Sequence, residues 1–135
     1  MALNTQVSDA TVNVQANALA ALCNSGFIKI YDGVQPVNAD TAISSNTLGV
    51  TLTFGATAFG AAVSGLITAN SITAGTAVAT ITPTWARICK SDNSTVMDVT
   101  AGAAGANLTI GAFTSGTTVS ATSFTHDVRN ATSGF

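Results

Sequence analysis

The spacing of apolar residues changes once along this chain, at Gly26, and that change sets what it can fold into. Before Gly26, Ala10, Val12, Ala16, Ala18, Leu19, Ala20, Leu22 and Cys23 recur at helical intervals. A helix turns every ~3.6 residues, so this spacing gathers them on an apolar side. Ser8 and Asp9 offer oxygens to the first unpaired backbone N–H groups, and Gly26 stops the helix just past its end. The expected helix is Asp9–Asn24, packed on a sheet through Val12, Ala16, Leu19 and Cys23. Its β-branched Val12 and Val14 lower the intrinsic propensity slightly.

After Gly26 the period is two. In "FIKIYD", Phe27, Lys29 and Tyr31 face one way while Ile28 and Ile30 face the other. "TLGVTLTFG" repeats the pattern with Leu48, Val50, Leu52 and Phe54 on its apolar row. Between them "DGVQPVNADTAIS" reads as loop, because Gly33, Pro36 and Asn38 to Asp40 favour turns. Strand character returns around Val63–Ser71 and in "GTAVATITPTWARICKS", a long strand interrupted at Pro83, which marks an edge or bulge. "STVMDVT", "ANLTIGAF" and "GTTVSATSFTHDV" follow, with "AGAAGA" as a flexible loop. Turn signals at this density argue for a mainly β protein: an antiparallel sandwich or barrel of about seven to eight strands with one N-terminal helix. No helical crossovers separate the later strands, which argues against a parallel α/β sheet. The 135 residues make one domain: an arm over 1–8, the helix, a sheet region over 27–128 and a tail over 129–135.

Composition narrows the function. Only 7% of the residues are charged, against roughly a quarter in an ordinary soluble protein. Glutamate is absent, and mean hydropathy is +0.45. Interspersed charge is what normally keeps a free surface soluble, so the deficit points to a surface covered by partners in an assembly. Lys29, Arg87, Lys90 and Arg129 are scattered, so no cationic patch exists for nucleic acid. The apolar runs are shorter than the ~20 residues of a membrane helix. "MALNTQVSDA" has neither a basic start nor an apolar run, which leads us to expect synthesis in the cytoplasm rather than export.

Four of the ten charged side chains, Arg87, Lys90, Asp92 and Asp98, fall in "TWARICKSDNSTVMDVT". Trp85, Arg87 and Cys89 fall on one strand face and Ala86, Ile88 and Lys90 on the other. "SDNS" is a turn, and Asp98 on the returning strand comes near Arg87 or Lys90. The hairpin reading predicts a buried Trp85 and no metal at Asp92 or Asp98, whose spacing lacks the dense oxygen ligands of a calcium loop. His126 in "SFTHDV" reads as a strand residue. Cys23 and Cys89 belong to no metal or redox motif and read as buried free thiols. The sequons at Asn93, Asn107 and Asn130 are expected by chance in so Ser- and Thr-rich a chain. No nucleophile elbow, phosphate loop, dinucleotide fingerprint or zinc motif is present. We therefore expect no enzyme, no catalytic or metal site and no cofactor.

Taken together, "IKIYDG", the "TWARICKSDNSTVMD" hairpin and the closing "SFT" resemble a group of small proteins encoded among the head genes of tailed bacteriophages and prophages. The similarity runs from about Asp9 to Thr125. Asn93 stands where a glycine turn is usual in that group, and "HDVRNATSGF" extends beyond it. The resemblance implies a virion structural protein, of the capsid decoration (cement) type, made in the host cytoplasm and carried on the capsid surface. Its partners would be the major capsid protein and copies of itself, with a trimer favoured and no contact with nucleic acid or membrane. The alternatives are a tail, collar or fibre-attachment component, or a secreted pilin-like or adhesin-like subunit. The contact residues expected from sequence are Met1, Ala2 and Leu3 in the arm, Phe59 in "GATAFGAA", the "AGAAGAN" loop, and Arg129 and Phe135 in the tail.

Overall fold

The computed structural model describes residues 6–128. Helix α1 spans Asp9–Leu22. The Ser8 Oγ accepts the Thr11 N–H at 3.3 Å, and Cys23 closes the far end with its N–H on the Ala20 and Ala21 carbonyls. Ten strands follow: β1 Phe27–Tyr31, β2 Leu48–Phe54, β3 Leu66–Thr68, β4 Ile72–Thr73, β5 Gly75–Thr76, β6 Trp85–Cys89, β7 Thr95–Gly102, β8 Leu108–Thr109, β9 Thr118–Val119 and β10 Ser123–Asp127. Eight of them form one sheet in the order β3-β10-β8-β7-β6-β1-β2-β4, and β5 pairs with β9 in a separate ribbon. The mainly β fold with one N-terminal helix matches the sequence reading.

The connectivity forces this sheet to curl. Laid flat, eight strands at ~4.8 Å spacing would hold the outer two more than ~30 Å apart. Yet the outer strands are β3 and β4, joined only by residues 69–71, which reach ~14 Å at most. The two ends of the sheet are therefore brought round toward each other. Phe54 of β2 and Phe124 of β10, far apart in strand order, meet with ring centroids 6.0 Å apart.

The inward residues alternate as the period-two pattern requires. Ile28, Ile30, Val50, Leu52, Ile67, Ile88 and Leu108 are fully buried in one cluster, which Ala16 and Ala20 of α1 and its capping residue Cys23 join. Leu19, expected among the packing residues, is only half-buried, and Ala20 takes its place.

Two departures from the sequence reading have physical causes. The long strand expected across Pro83 is split, because Pro83 has no N–H for a ladder. β5 ends at Thr76 and β6 begins at Trp85, with Ile81 held between them only by an isolated bridge to Phe113. And one strand pair is parallel rather than antiparallel: Ala101 and Gly102 of β7 pair with Leu108 and Thr109 of β8. Residues 103–107 turn the chain fully round to do this, with Gly105 at φ +70°. The loop is closed by Asn107, whose backbone N–H donates to the Thr100 Oγ1 and whose Oδ1 accepts from that hydroxyl, both at 3.1 Å. The "AGAAGA" stretch is thus a closed turn built from small residues.

Candidate functional site

The hairpin forms β6 and β7: Ala86, Ile88, Val99 and Ala101 join the core cluster, while Trp85 and Arg87 lie on the opposite face of the sheet. β6 is flanked by β1 and β7, and all five of its residues are buried. Trp85 is 0% exposed. It stacks on Tyr31 of β1 at 4.8 Å between centroids, and its indole N–H donates to the Asp32 carbonyl at 3.1 Å. Arg87 lies beside this pair, its guanidinium 5.5 Å from the centre of the Trp85 ring. Register places Arg87 opposite Asp98, and the two form a bidentate pair: Nε to Oδ1 at 2.7 Å and Nη2 to Oδ2 at 2.9 Å. Their side chains are 9% and 3% exposed. The sequence reading placed Asp98 near Arg87 or Lys90; of the two, the structure pairs it with Arg87. The curled sheet and the stacked rings bury the pair, and both fork donors of Arg87 find an oxygen.

Arg87 and Asp98 are held by each other, and the Trp85 N–H by the Asp32 carbonyl. The Asp98 hydrogen bonds push the Arg87 pKa upward, against the opposing effect of burial. Burial raises the Tyr31 hydroxyl and the Cys89 thiol. Among the described residues, no buried side-chain nitrogen or oxygen lacks a hydrogen-bond partner.

The other chemical candidates are separate from one another. Asp92 turns its carboxylate onto its own loop, accepting from the Ser94 N–H at 2.9 Å and the Ser94 hydroxyl at 2.6 Å. These bonds hold its carboxyl below the usual range. Cys23 and Cys89 are both buried and unbridged, and burial pushes Cys23 up to about 11, far from a reactive thiolate. His126 sits in β10 opposite Ile67. Burial lowers its pKa, and the neighbouring Asp127 acts the other way. Among the described residues no three His, Cys, Asp or Glu side chains come together as a metal-binding group. Three surface hollows of about 190 to 290 Å³ are lined by Ala, Gly, Ser, Thr, Asn, Ile and Phe, with no titratable side chain in any of them.

The contact residues expected from sequence fare differently. Met1, Ala2, Leu3, Arg129 and Phe135 lie outside the described residues. Phe59 is a correction: it is 4% exposed and belongs to the core. It packs on Phe54 at 5.4 Å and edge-on to Phe124 at 5.4 Å. The "GATAFGAA" segment points it inward because the segment is tied down on both sides. Phe59 bridges to Ala69, and two asparagines of α1 and one just past its end clasp the neighbouring backbone. Asn24 accepts the Ala58 N–H, Asn17 the Ala62 N–H and Asn13 the Gly65 N–H, each at 2.9 Å. The sequence reading missed this row. Its signal was the presence of Asn13 and Asn17 inside a helix, where asparagine is disfavoured unless its side chain has work elsewhere.

The described surface also presents large apolar side chains. Val34 and Val37 are 86% and 93% exposed, in a loop whose base is pinned by the Asn46 Nδ2 donating to the Asp32 carbonyl at 2.7 Å and the Thr84 hydroxyl donating to the Gly33 carbonyl at 2.6 Å. Val78, Val14, Val63, Leu22, Val7 and Leu66 are also exposed. No family model, no curated protein and no solved structure matches this chain.

Proposed function

We propose that the chain is a virion structural protein of a tailed bacteriophage: a decoration protein that binds the outside of the capsid shell as a symmetric oligomer and clamps neighbouring copies of the major capsid protein. The observation that carries this reading is the surface. Large apolar side chains stand up to 93% exposed in a chain with 7% charge. Exposed apolar patches mark sites that other proteins cover. The charged groups that could do chemistry are spent on internal structure: Arg87 and Asp98 on each other, Asp92 on its turn. The resemblance of "IKIYDG" and the Trp85 hairpin to phage head-region proteins supplies the kind of assembly.

The reading is tested by mixing purified protein with capsids that lack it and sedimenting the shells. The chain should co-sediment and saturate at a fixed copy number. Binding should change little with added salt, because few charges are available to be screened. A chain that stays in the supernatant at every concentration refutes the decoration role. If negative-stain images of the virion place it instead at the tail or collar, the structural role stands and the location is the alternative one. The pilin-like reading requires a disulfide, and against it Cys23 lies in the core cluster while Cys89 lies on the opposite face of the sheet.

A further inference from the structure

Eight asparagines lie among the described residues, and the fold gives the side-chain amides of seven of them a hydrogen bond. Asn13, Asn17 and Asn24 accept backbone N–H groups, and Asn38 accepts two donors of its own turn. Asn46 and Asn70 donate to backbone carbonyls, and Asn107 both accepts and donates. Asn93 is the exception. It stands exposed at the tip of the β6–β7 hairpin, and its side-chain amide has no hydrogen-bond partner among the described residues.

An unheld asparagine amide has a reactive neighbour in its own chain. The backbone nitrogen of the next residue can attack the side-chain carbonyl carbon, because the two close a five-membered ring, and an attack within one chain needs no encounter. A small next residue leaves that nitrogen accessible. Asn24, Asn70 and Asn93 each precede a serine. The Asn24 amide holds the Ala58 N–H, and the Ser25 N–H donates to the Gly55 carbonyl at 2.9 Å. The Asn70 amide is tied to the Thr57 carbonyl at 3.0 Å. At Asn93 the restraint comes from Asp92 instead, whose Oδ1 accepts the Ser94 N–H at 2.9 Å and the Ser94 hydroxyl at 2.6 Å. A nitrogen bonded to a carboxylate loses its proton to solvent reluctantly, since the anion left behind would face a second negative charge.

We infer that Asn93 is a site of spontaneous amide-to-acid conversion, and that Asp92 slows it. The Ser94 nitrogen bonds to the Asn93 Cγ and gives up its proton. The Cγ–Nδ2 bond breaks, and Nδ2 leaves as ammonia with that proton. Solvent water then opens the ring and returns a proton to the Ser94 nitrogen. Opening at Cγ gives an aspartyl residue. Opening at the backbone carbonyl carbon gives an isoaspartyl residue, whose main chain is one carbon longer. Neither step is an oxidation or a reduction. Both products place a new carboxylate beside Asp92. The isoaspartyl form also stretches a turn that the Asn93 N–H closes onto the Lys90 carbonyl at 3.0 Å, and the Lys90 N–H onto the Ser94 carbonyl at 2.9 Å. Such a covalent change adds charge to the hairpin tip without any enzyme.

The experiment ages the intact protein in mildly alkaline buffer, digests samples over time and maps the converted residues by mass spectrometry. Asn93 should convert before the other seven described asparagines. Ageing in urea removes the hydrogen bonds of the fold, and Asn24 and Asn70 should then convert at rates comparable with Asn93. Asp92→Ala, in an exposed turn, should leave the circular dichroism spectrum unchanged and speed conversion at Asn93 about two- to tenfold, the factor one hydrogen bond is worth. Asn93→Gln, whose longer side chain would have to close a six-membered ring, should stop the early release of ammonia. The inference is overturned if another described asparagine converts first in the folded protein. It is also overturned if Asn24 and Asn70 lag Asn93 as far in urea as in the fold, for then the fold selects nothing. An unchanged or slower rate in Asp92→Ala would refute the restraining role of Asp92.

Discussion

Removing the Asp98 carboxylate should be among the costliest single changes on the outer face of the sheet. Asp98→Ala leaves the Arg87 guanidinium 5.5 Å from the Trp85 ring centre with no anion beside it, and Lys29 is its cross-strand neighbour. At an effective dielectric of ~20, opposite charges ~4 Å apart attract by about 4 kcal/mol. The exposed arginine of an ordinary surface pair would recover most of that from water. Arg87 cannot, since its side chain is 9% exposed. The Trp85 ring returns about 0.5–2 kcal/mol as a cation–π contact, and the like charge of Lys29 subtracts from it. The expected loss is about 3 kcal/mol, consistent with the ~3–5 kcal/mol seen when one partner of a buried pair is removed. For a chain of this length that lowers the melting temperature by about 10–15 °C. Replacing both partners with apolar groups, Arg87→Met with Asp98→Leu, removes the stranded charge and should return stability to within about 1 kcal/mol of wild type. Urea titration followed by the fluorescence of Trp85, the single tryptophan, measures all three. A loss under ~1 kcal/mol for Asp98→Ala, or a double variant as unstable as the sum of the singles, would refute the argument.

Other consequences can be read from the same structure. A Cβ at Gly26 would run into the Cys89 carbonyl oxygen and crowd that of Cys23, both backbone atoms, so Gly26→Ala should prevent folding or lower the urea midpoint severely. Gly111→Ala, where the added carbon meets nothing within 4 Å, should leave it unchanged. Burial lowers the His126 pKa, so the unfolded chain takes up the proton first. Stability should then hold above the ordinary histidine value of about 6.5 and decline as pH falls through it toward the lowered native value. His126→Gln should flatten that stretch of a melting-temperature profile, and an unchanged slope would exclude His126 as its source. Asn93 occupies the left-handed region at φ 70°, so Asn93→Gly should hold or slightly raise stability, whereas Asn93→Val should cost about 1–2 kcal/mol. Equal stabilities for those two variants would mean that the turn has rearranged.

Several features of this protein are legible in the sequence because they depend on short-range geometry. The helix is set by the spacing of Val12, Ala16 and Cys23 and by the cap at Ser8. The alternation in β1, β2 and β6 follows from the period of an extended chain, which puts Ile28 and Ile30 on one face and Tyr31 on the other. The "SDNS" turn follows from side chains that hydrogen-bond their own backbone, as Asp92 does to Ser94.

Other features exist only once distant segments meet. Phe59 sits in a Gly- and Ala-rich stretch with no periodicity, so nothing local says which way it points. Its direction is fixed by Ala69 on one side and by Asn17 of α1 and Asn24 just past its end on the other. The parallel pairing of β7 with β8 depends on how residues 103–107 close, and composition shows only that they are small. Arg87 and Asp98 could be paired on paper, but their burial depends on the neighbouring strand β1 and the stacking of Tyr31 on Trp85. The outward apolar side of α1 was present in the sequence all along, mixed with its inward side. An alanine-rich helix has apolar residues on both sides, and only packing against the sheet decides which of them water still reaches.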